Sequence, residues 1–143
     1  MALIVPDASV ILKWVLGGDD EPDQRAAEHI RARWLSEIDQ IILPTLWRYE
    51  VANVLGANTP KHAASLMSLL LDYEFEEADI GPETCRLALD MMASAKASFY
   101  DAAYHAVAIA SGAVFITADA QYFKKASARG HIKLLTSEVQ PAS

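Results

Sequence analysis

Leu3-Ile4-Val5 is an apolar, partly β-branched run too short for a helix, and it ends at Pro6-Asp7 just before a helical pattern begins. Such a run reads as a strand buried on both faces of a parallel sheet. Pro6 has no N–H for a further ladder bond, so the strand is expected to stop there. Ser9 is a good N-cap, and Val10, Ile11, Trp14 and Val15 then recur at helical spacing. Asp7 is thereby placed where a strand gives way to a helix, on the carboxyl edge of the sheet, where open α/β folds bind ligands. Asp is also a common helix cap, so capping alone is the alternative role for Asp7.

The alternation of strand and helix continues. Gly17 to Pro22 reads as an acidic loop, with Pro22 suited to the first turn of a helix that runs to about Asp39. Gln40 to Leu43 is a strand stopped by Pro44, and Thr45 can cap a helix ending near Gly56 and Asn58. Thr59-Pro60 starts another helix, with Leu66, Leu69 and Leu70 expected to face inward. Glu74 to Ile80 fits an edge strand whose glutamates discourage pairing with other chains. Gly81-Pro82 opens a helix to about Ala95, and Ser98 caps one from Phe99 to Ser111 that ends at Gly112. Ala113 to Thr117 is a strand, Ala118 to Gly130 mostly helix, Ile132 to Leu135 a last strand, and 136–143 a loose polar tail. The expectation is an α/β protein, one domain over 1–143, with a parallel sheet in a three-layer α/β/α arrangement joined by right-handed crossovers. A chain of 143 residues, 52% hydrophobic, has the material for one such core.

Three further acids stand where composition does not require them. Glu50 lies within an otherwise apolar helix, Asp101 one turn into a helix among Phe99, Tyr100, Ala102, Ala103 and Tyr104, and Asp119 two residues past a strand. Each has a plain alternative: Glu50 in solvent, Asp101 complementing a helix dipole, Asp119 capping. Together they point further, because a switch point between the first and fourth strands would bring Asp7 and Asp119 about one strand spacing apart, ~4.8 Å. Glu50 and Asp101 leaning over that edge would complete a ring of carboxylates. Like charges so close raise one another's pKa unless a counter-ion enters. An all-oxygen donor set, with Ser9 and Thr117 adding hydroxyls, suits hard cations such as Mg²⁺ or Mn²⁺. The net charge of −7 argues against holding nucleic acid by bulk attraction, but bound cations would supply the missing positive charge.

Four fragments of the chain resemble a known family: Val5-Pro6-Asp7-Ala8-Ser9-Val10, Tyr49-Glu50-Val51-Ala52-Asn53-Val54-Leu55, Tyr100-Asp101-Ala102-Ala103-Tyr104 and Phe115-Ile116-Thr117-Ala118-Asp119. In this order and spacing they are similar to the PIN-domain ribonucleases, and specifically to the VapC-like toxins of bacterial and archaeal toxin–antitoxin pairs. The resemblance implies that Asp7, Glu50, Asp101 and Asp119 are the acidic cluster and Ser9 and Thr117 its hydroxyl positions. It further implies a five-stranded parallel sheet in the order 3-2-1-4-5, a homodimer, an antitoxin partner that blocks the site, and hydrolysis of RNA phosphodiesters assisted by one or two Mg²⁺ or Mn²⁺ ions. Asp7 and Asp101 are the first candidates for direct ligands, with Asp119 direct or through water. Glu50 either ligates a second ion or orients water. The rival is a PIN-like module that binds RNA or protein with little turnover.

Other signals weigh less. His105 follows Asp101 by one helical turn and fits ordinary packing or a local hydrogen bond better than ligation, while His29, His62 and His131 lack metal-ligand spacing. Lys13, Arg48 and the basic stretch of Lys124, Lys125, Arg129 and Lys133 can meet phosphate or merely face solvent. Trp14, Trp34 and Trp47 fit a core or a dimer contact better than base stacking. A phosphatase of the aspartyl-nucleophile type would need Asp where Ser9 stands, and no Gly-x-Ser-x-Gly elbow marks a serine hydrolase. The single Cys85 excludes an internal disulfide and a Cys-rich zinc site. No apolar run approaches the ~20 residues of a membrane span, and the expected location is cytoplasmic.

Overall fold

A computed structural model describes residues 2–18 and 22–138. The expected loop residues Asp19, Asp20 and Glu21 and the tail from 139 onward lie outside the described residues. In chain order the elements are β1 (Leu3–Pro6), α1 (Ala8–Leu16), α2 (Pro22–Leu35), β2 (Gln40–Pro44), α3 (Trp47–Asn58), α4 (Ala63–Leu71), β3 (Glu76–Ala78), α5 (Pro82–Ala95), α6 (Phe99–Ser111), β4 (Val114–Thr117), α7 (Ala120–Ala126) and β5 (Ile132–Leu134). The five strands form one parallel sheet in the order β3-β2-β1-β4-β5, the α/β order implied by the resemblance.

The sheet centre is where the sequence is most apolar. Ile4, Val5 and Pro6 of β1, Ile41 to Pro44 of β2 and Phe115 to Thr117 of β4 are all buried, as strands covered on both faces require. Strand β1 ends at Pro6, as expected. Pro6 pairs in register with Ile116, and the next residue, Asp7, gives its N–H to Ile116 O at 2.9 Å. Helix α6 lies against β1, β2 and β4. Ala102 to Ala108 are buried without interruption, and the four alanines among them let the backbone sit close to its neighbours. Ala88 and Met91 of α5 pack on Ala102 and Ala106 of α6 as a second, smaller cluster. Gly112, at φ 70°, takes the left-handed position that closes α6, its N–H returning to Ala108 O.

Trp14 and Trp47 are core residues, and Trp34 is partly buried against the core. Trp14, Trp34, Trp47, Tyr73 and Phe75 form a continuous aromatic cluster, with Trp14 and Trp34 stacked at 6.1 Å and Trp14 Nε1 donating to Ala27 O at 2.8 Å. Three local expectations change. Helix α2 stops at Leu35 rather than Asp39, because Glu37 turns left-handed (φ 61°) to feed the chain into β2. Leu69 of α4 is 57% exposed, and Leu70 is the leucine that enters the core. Leu135 is fully buried and begins a short 3₁₀ turn through Glu138, so 136–138 are ordered against the domain rather than loose. Caps differ too: Thr45 offers only its carbonyl, accepting from Arg48 N, and α3 has no side-chain cap.

Candidate active site

Asp7 rather than Ser9 caps α1, and its carboxylate does more than cap. Oδ1 accepts from Ser9 N at 3.1 Å, while Oδ2 accepts from the Thr117 hydroxyl at 3.0 Å. The pairing of β1 with β4 makes this bond possible between residues 110 apart in the chain. Thr117 is 1% exposed, and its oxygen in turn accepts from Asp119 N at 3.0 Å. Asp119 then caps α7, Oδ1 accepting from Tyr122 N at 3.0 Å. Asp7, Thr117 and Asp119 are thus one hydrogen-bonded unit across the carboxyl edge, with each carboxylate held by backbone donors. Both capping alternatives hold in geometry, and neither uses up the oxygens concerned.

The other two acids come from separate helices. Asp101 sits in the first turn of α6, where Ser98 Oγ accepts its N–H at 3.2 Å, and Glu50 sits in the first turn of α3. Burial pushes the Asp7 carboxyl above the usual range, and the charges of Asp101 and Asp119 add to that; hydrogen bonds from Ser9 and Thr117 oppose it. Burial likewise raises Glu50, helped by Asp7 and Asp101, and raises Asp101, helped by Asp119. The four carboxylates therefore share one electrostatic neighbourhood, linked through Asp7 and Asp101. No group of three or more His, Cys, Asp or Glu side chains among the described residues has the spacing of a ready-made metal cage.

A cleft of about 610 Å³ opens beside Asp7 and Glu50, walled by Ala8, Ser9, Leu12, Tyr49, Asn53, Val54 and Tyr100. Ser9 Oγ is a buried oxygen without a hydrogen-bond partner, while the Glu50 carboxylate and the Tyr104 hydroxyl face each other and interact, short of a well-formed hydrogen bond at Glu50 Oε1. An orphan such as Ser9 Oγ is costly in a plain core and common at functional sites. Tyr104 is 1% exposed and stacked on Phe115, and its hydroxyl is pushed far above the usual phenol range by burial first and then by Glu50 and Asp7. It is a fifth member of the neighbourhood that pattern reading gave no role. Its signal was available: Tyr104 follows Asp101 by three residues, and Asn53 follows Glu50 by three, so each shares the acid's helix face.

His105 lies behind this edge. It is fully buried, Nε2 donating to Gly130 O and Nδ1 accepting from the Tyr122 hydroxyl, both at 2.8 Å; a carbonyl can only accept, which fixes that assignment. Burial holds its pKa low, and both ring nitrogens are engaged in holding α6 against α7 and the turn before β5. Arg48 is ion-paired with Glu77, and Arg129 with Asp90 at 2.9 Å.

A family model described as the PIN domain matches residues 4–128. No curated protein matches the chain in sequence. Among solved structures, VapC20 of Mycobacterium tuberculosis, described as a sarcin-ricin loop cleaving toxin, aligns with TM-score 0.64 at 19% identity, over 96% of this chain and 99% of that one. PAE2754 from Pyrobaculum aerophilum aligns with TM-score 0.62 at 21% identity, over 96% of this chain and 85% of that one. At these identities the likeness is one of fold. With the family match running from β1 through α7 and the sheet order in agreement, the chain belongs to the PIN domain family.

Proposed function

We propose that the protein is a divalent-cation-dependent endoribonuclease, the toxin of a VapBC-type toxin–antitoxin pair, with Asp7, Glu50, Asp101 and Asp119 as its acidic site. The observation that carries this reading is that Asp7 and Glu50 line one cleft without a Lys or Arg in its wall, and that Asp7, Glu50 and Asp101 have proton affinities raised by burial first and by neighbouring carboxylates second. The similarity in fold to VapC20, described as a sarcin-ricin loop cleaving toxin, supports it.

The donor set fits Mg²⁺ or Mn²⁺ in kind, being carboxylates and hydroxyls without thiolate, and the partnerless buried hydroxyl of Ser9 fits a site that takes a further occupant. Mg²⁺ usually keeps several waters and needs only one or two carboxylates, so a preformed cage is not required. Asp7 and Asp101 would hold the cation, with Asp119 beside them. When bound it would supply polarisation of the phosphoryl group and acidify water. Asp7 is held for this task by Ser9 N and the Thr117 hydroxyl, which fix both its oxygens. Thr117 also fixes the backbone of Asp119, so one hydroxyl sets two acids. Glu50, which faces the Tyr104 hydroxyl, would orient an attacking water or hold a second cation.

The reading extends to one PIN domain acting as a homodimer in the cytoplasm and neutralised by a cognate antitoxin. No helix among the described residues is long and apolar enough to cross a membrane. The test is cleavage of an RNA pool across a Mg²⁺ and Mn²⁺ titration. Cutting that rises with cation and stops with chelator is expected. RNA binding with no cutting at any cation concentration would instead establish the binding module.

A further inference from the structure

We propose that Tyr49 and Tyr100 form a nucleobase-stacking rim on the acidic cleft, so that the site selects an RNA strand whose bases are unstacked beside the scissile phosphate; this rests on the ribonuclease reading. Both rings line the same cleft as Asp7 and Glu50, and both stand out in water, Tyr49 at 77% and Tyr100 at 57% exposure. Tyr49 is the most exposed large hydrophobic side chain among the described residues. Neither takes part in the ring contacts that join Trp14, Trp34, Tyr73 and Phe75 or Tyr104 and Phe115.

Their position in the chain explains the arrangement. Each tyrosine immediately precedes a site acid, Tyr49 before Glu50 on α3 and Tyr100 before Asp101 on α6. Successive helical residues point about 100° apart. The acid is therefore half-buried while its neighbour's ring is exposed at the rim. Rings on two different helices thus border the cleft that holds Asp7 and Glu50.

Charge makes stacking the contact of choice. The cleft wall carries no Lys or Arg; its uncharged polar groups are Ser9 and Asn53, and Arg48 on the same helix is committed to Glu77. A polyanion gains little here from protein cations, and the chain as a whole carries −7. Stacking on an aromatic face needs no charge and tolerates any base. A volume of about 610 Å³ is of the size that encloses a small organic group such as a nucleobase. A protein partner could also cover these rings, but the rings adjoin the acids that the proposed chemistry requires, so the strand at those acids meets them first.

The test measures binding and cleavage of a short fluorescein-labelled single-stranded RNA containing a mapped cut site, in Mg²⁺, beside the same sequence closed into a duplex and a copy with abasic residues flanking the cut. Tyr49→Ala and Tyr100→Ala are each expected to weaken binding of the single strand and raise its KM by roughly five- to 150-fold. Tyr→Phe and Tyr→Trp at each position should keep wild-type affinity. The abasic strand should cost the wild type a similar factor and the double alanine variant almost nothing further. Alanine variants that bind and cut the single strand like wild type overturn the stacking rim while leaving the ribonuclease reading intact. So does loss of a co-expressed protein partner with RNA affinity unchanged, which would make the rings a protein contact. A wild type that neither binds nor cuts any RNA overturns both.

Discussion

Two half-buried or buried aspartates sit at opposite edges of the sheet and are treated in opposite ways. Asp39, just before β2 on the amino side, is 7% exposed and takes Arg33 Nε at 2.7 Å and Ala2 N at 3.1 Å. The hydrogen bond from Arg33 holds its carboxyl below the usual range, ahead of the opposing effect of burial. Asp7, just after β1 on the carboxyl side, has only neutral donors and faces other acids, and its carboxyl is raised. Where a charge serves the fold, this chain supplies a cation from its own sequence. Where the charge serves the proposed chemistry, relief is left to something that binds.

The sharpest way to break that contrast is Asp7→Asn. Asparagine also caps helices, so α1 should survive, while RNA cleavage should fall on the order of 10²–10³-fold, the scale of losing one group that stabilises developing charge. A purified variant that cuts as well as wild type would remove Asp7 from the mechanism. Next in size is Thr117→Val, which deletes the hydroxyl joining Asp7 to Asp119 without changing side-chain shape much. Loss of such an outer partner costs roughly 10–100-fold in activity or metal affinity, and Thr117→Ser should recover most of it. Equal rates for the valine and serine variants would show that the bond is incidental.

Asp39→Asn probes the other edge. Cleavage should be unchanged and Tm should fall by roughly 2–4 °C, the shift that about 1 kcal/mol produces in a chain of this size. The smallest effect, and the one that separates the two edges by sign, is the pH dependence of these stability changes in chelator. Asp39 has a lowered folded-state pKa, so its contribution is full above the ordinary value of 3.8 and is lost as pH falls through the folded value. Asp7 has a raised one, so ionisation opposes folding at neutral pH and that penalty disappears as pH falls toward 3.8. Asp39→Asn should therefore destabilise most at neutral pH, and Asp7→Asn should be neutral or stabilising there. Thermal melts of both variants between pH 3 and 7 give the two difference curves, and curves of the same sign would dissolve the comparison.

Much of the fold was legible because local rules and burial agreed. Gly81-Pro82 opening α5, Ser98 capping α6 and Gly112 closing it lie where cap chemistry puts them. The apolar runs became strands because a parallel sheet buries both faces. Tertiary demand overrode local pattern elsewhere: a helix continued to Asp39 would carry Leu35 and Ile38 on its apolar stripe, yet they are 53% and 46% exposed, because the chain turns at Glu37 to reach β2. Ser9 looked like the cap of α1, but the helix begins two residues earlier than that would place it, at Ala8, and Asp7 takes that role.

By itself, the sequence determined the kinds of element, their order and the four acids, since periodicity, caps and turn residues act over a few positions and can be read there. The tertiary structure alone decided that Thr117 links Asp7 to Asp119 and that the buried Tyr104 hydroxyl faces Glu50. It also decided that His105 is committed to Tyr122 and Gly130, and that Tyr49 and Tyr100 share a rim. Each of these is a relation between side chains carried on different strands and helices. Strand register and helix packing set such relations through contacts far apart in the chain, and no local pattern encodes the distance between them.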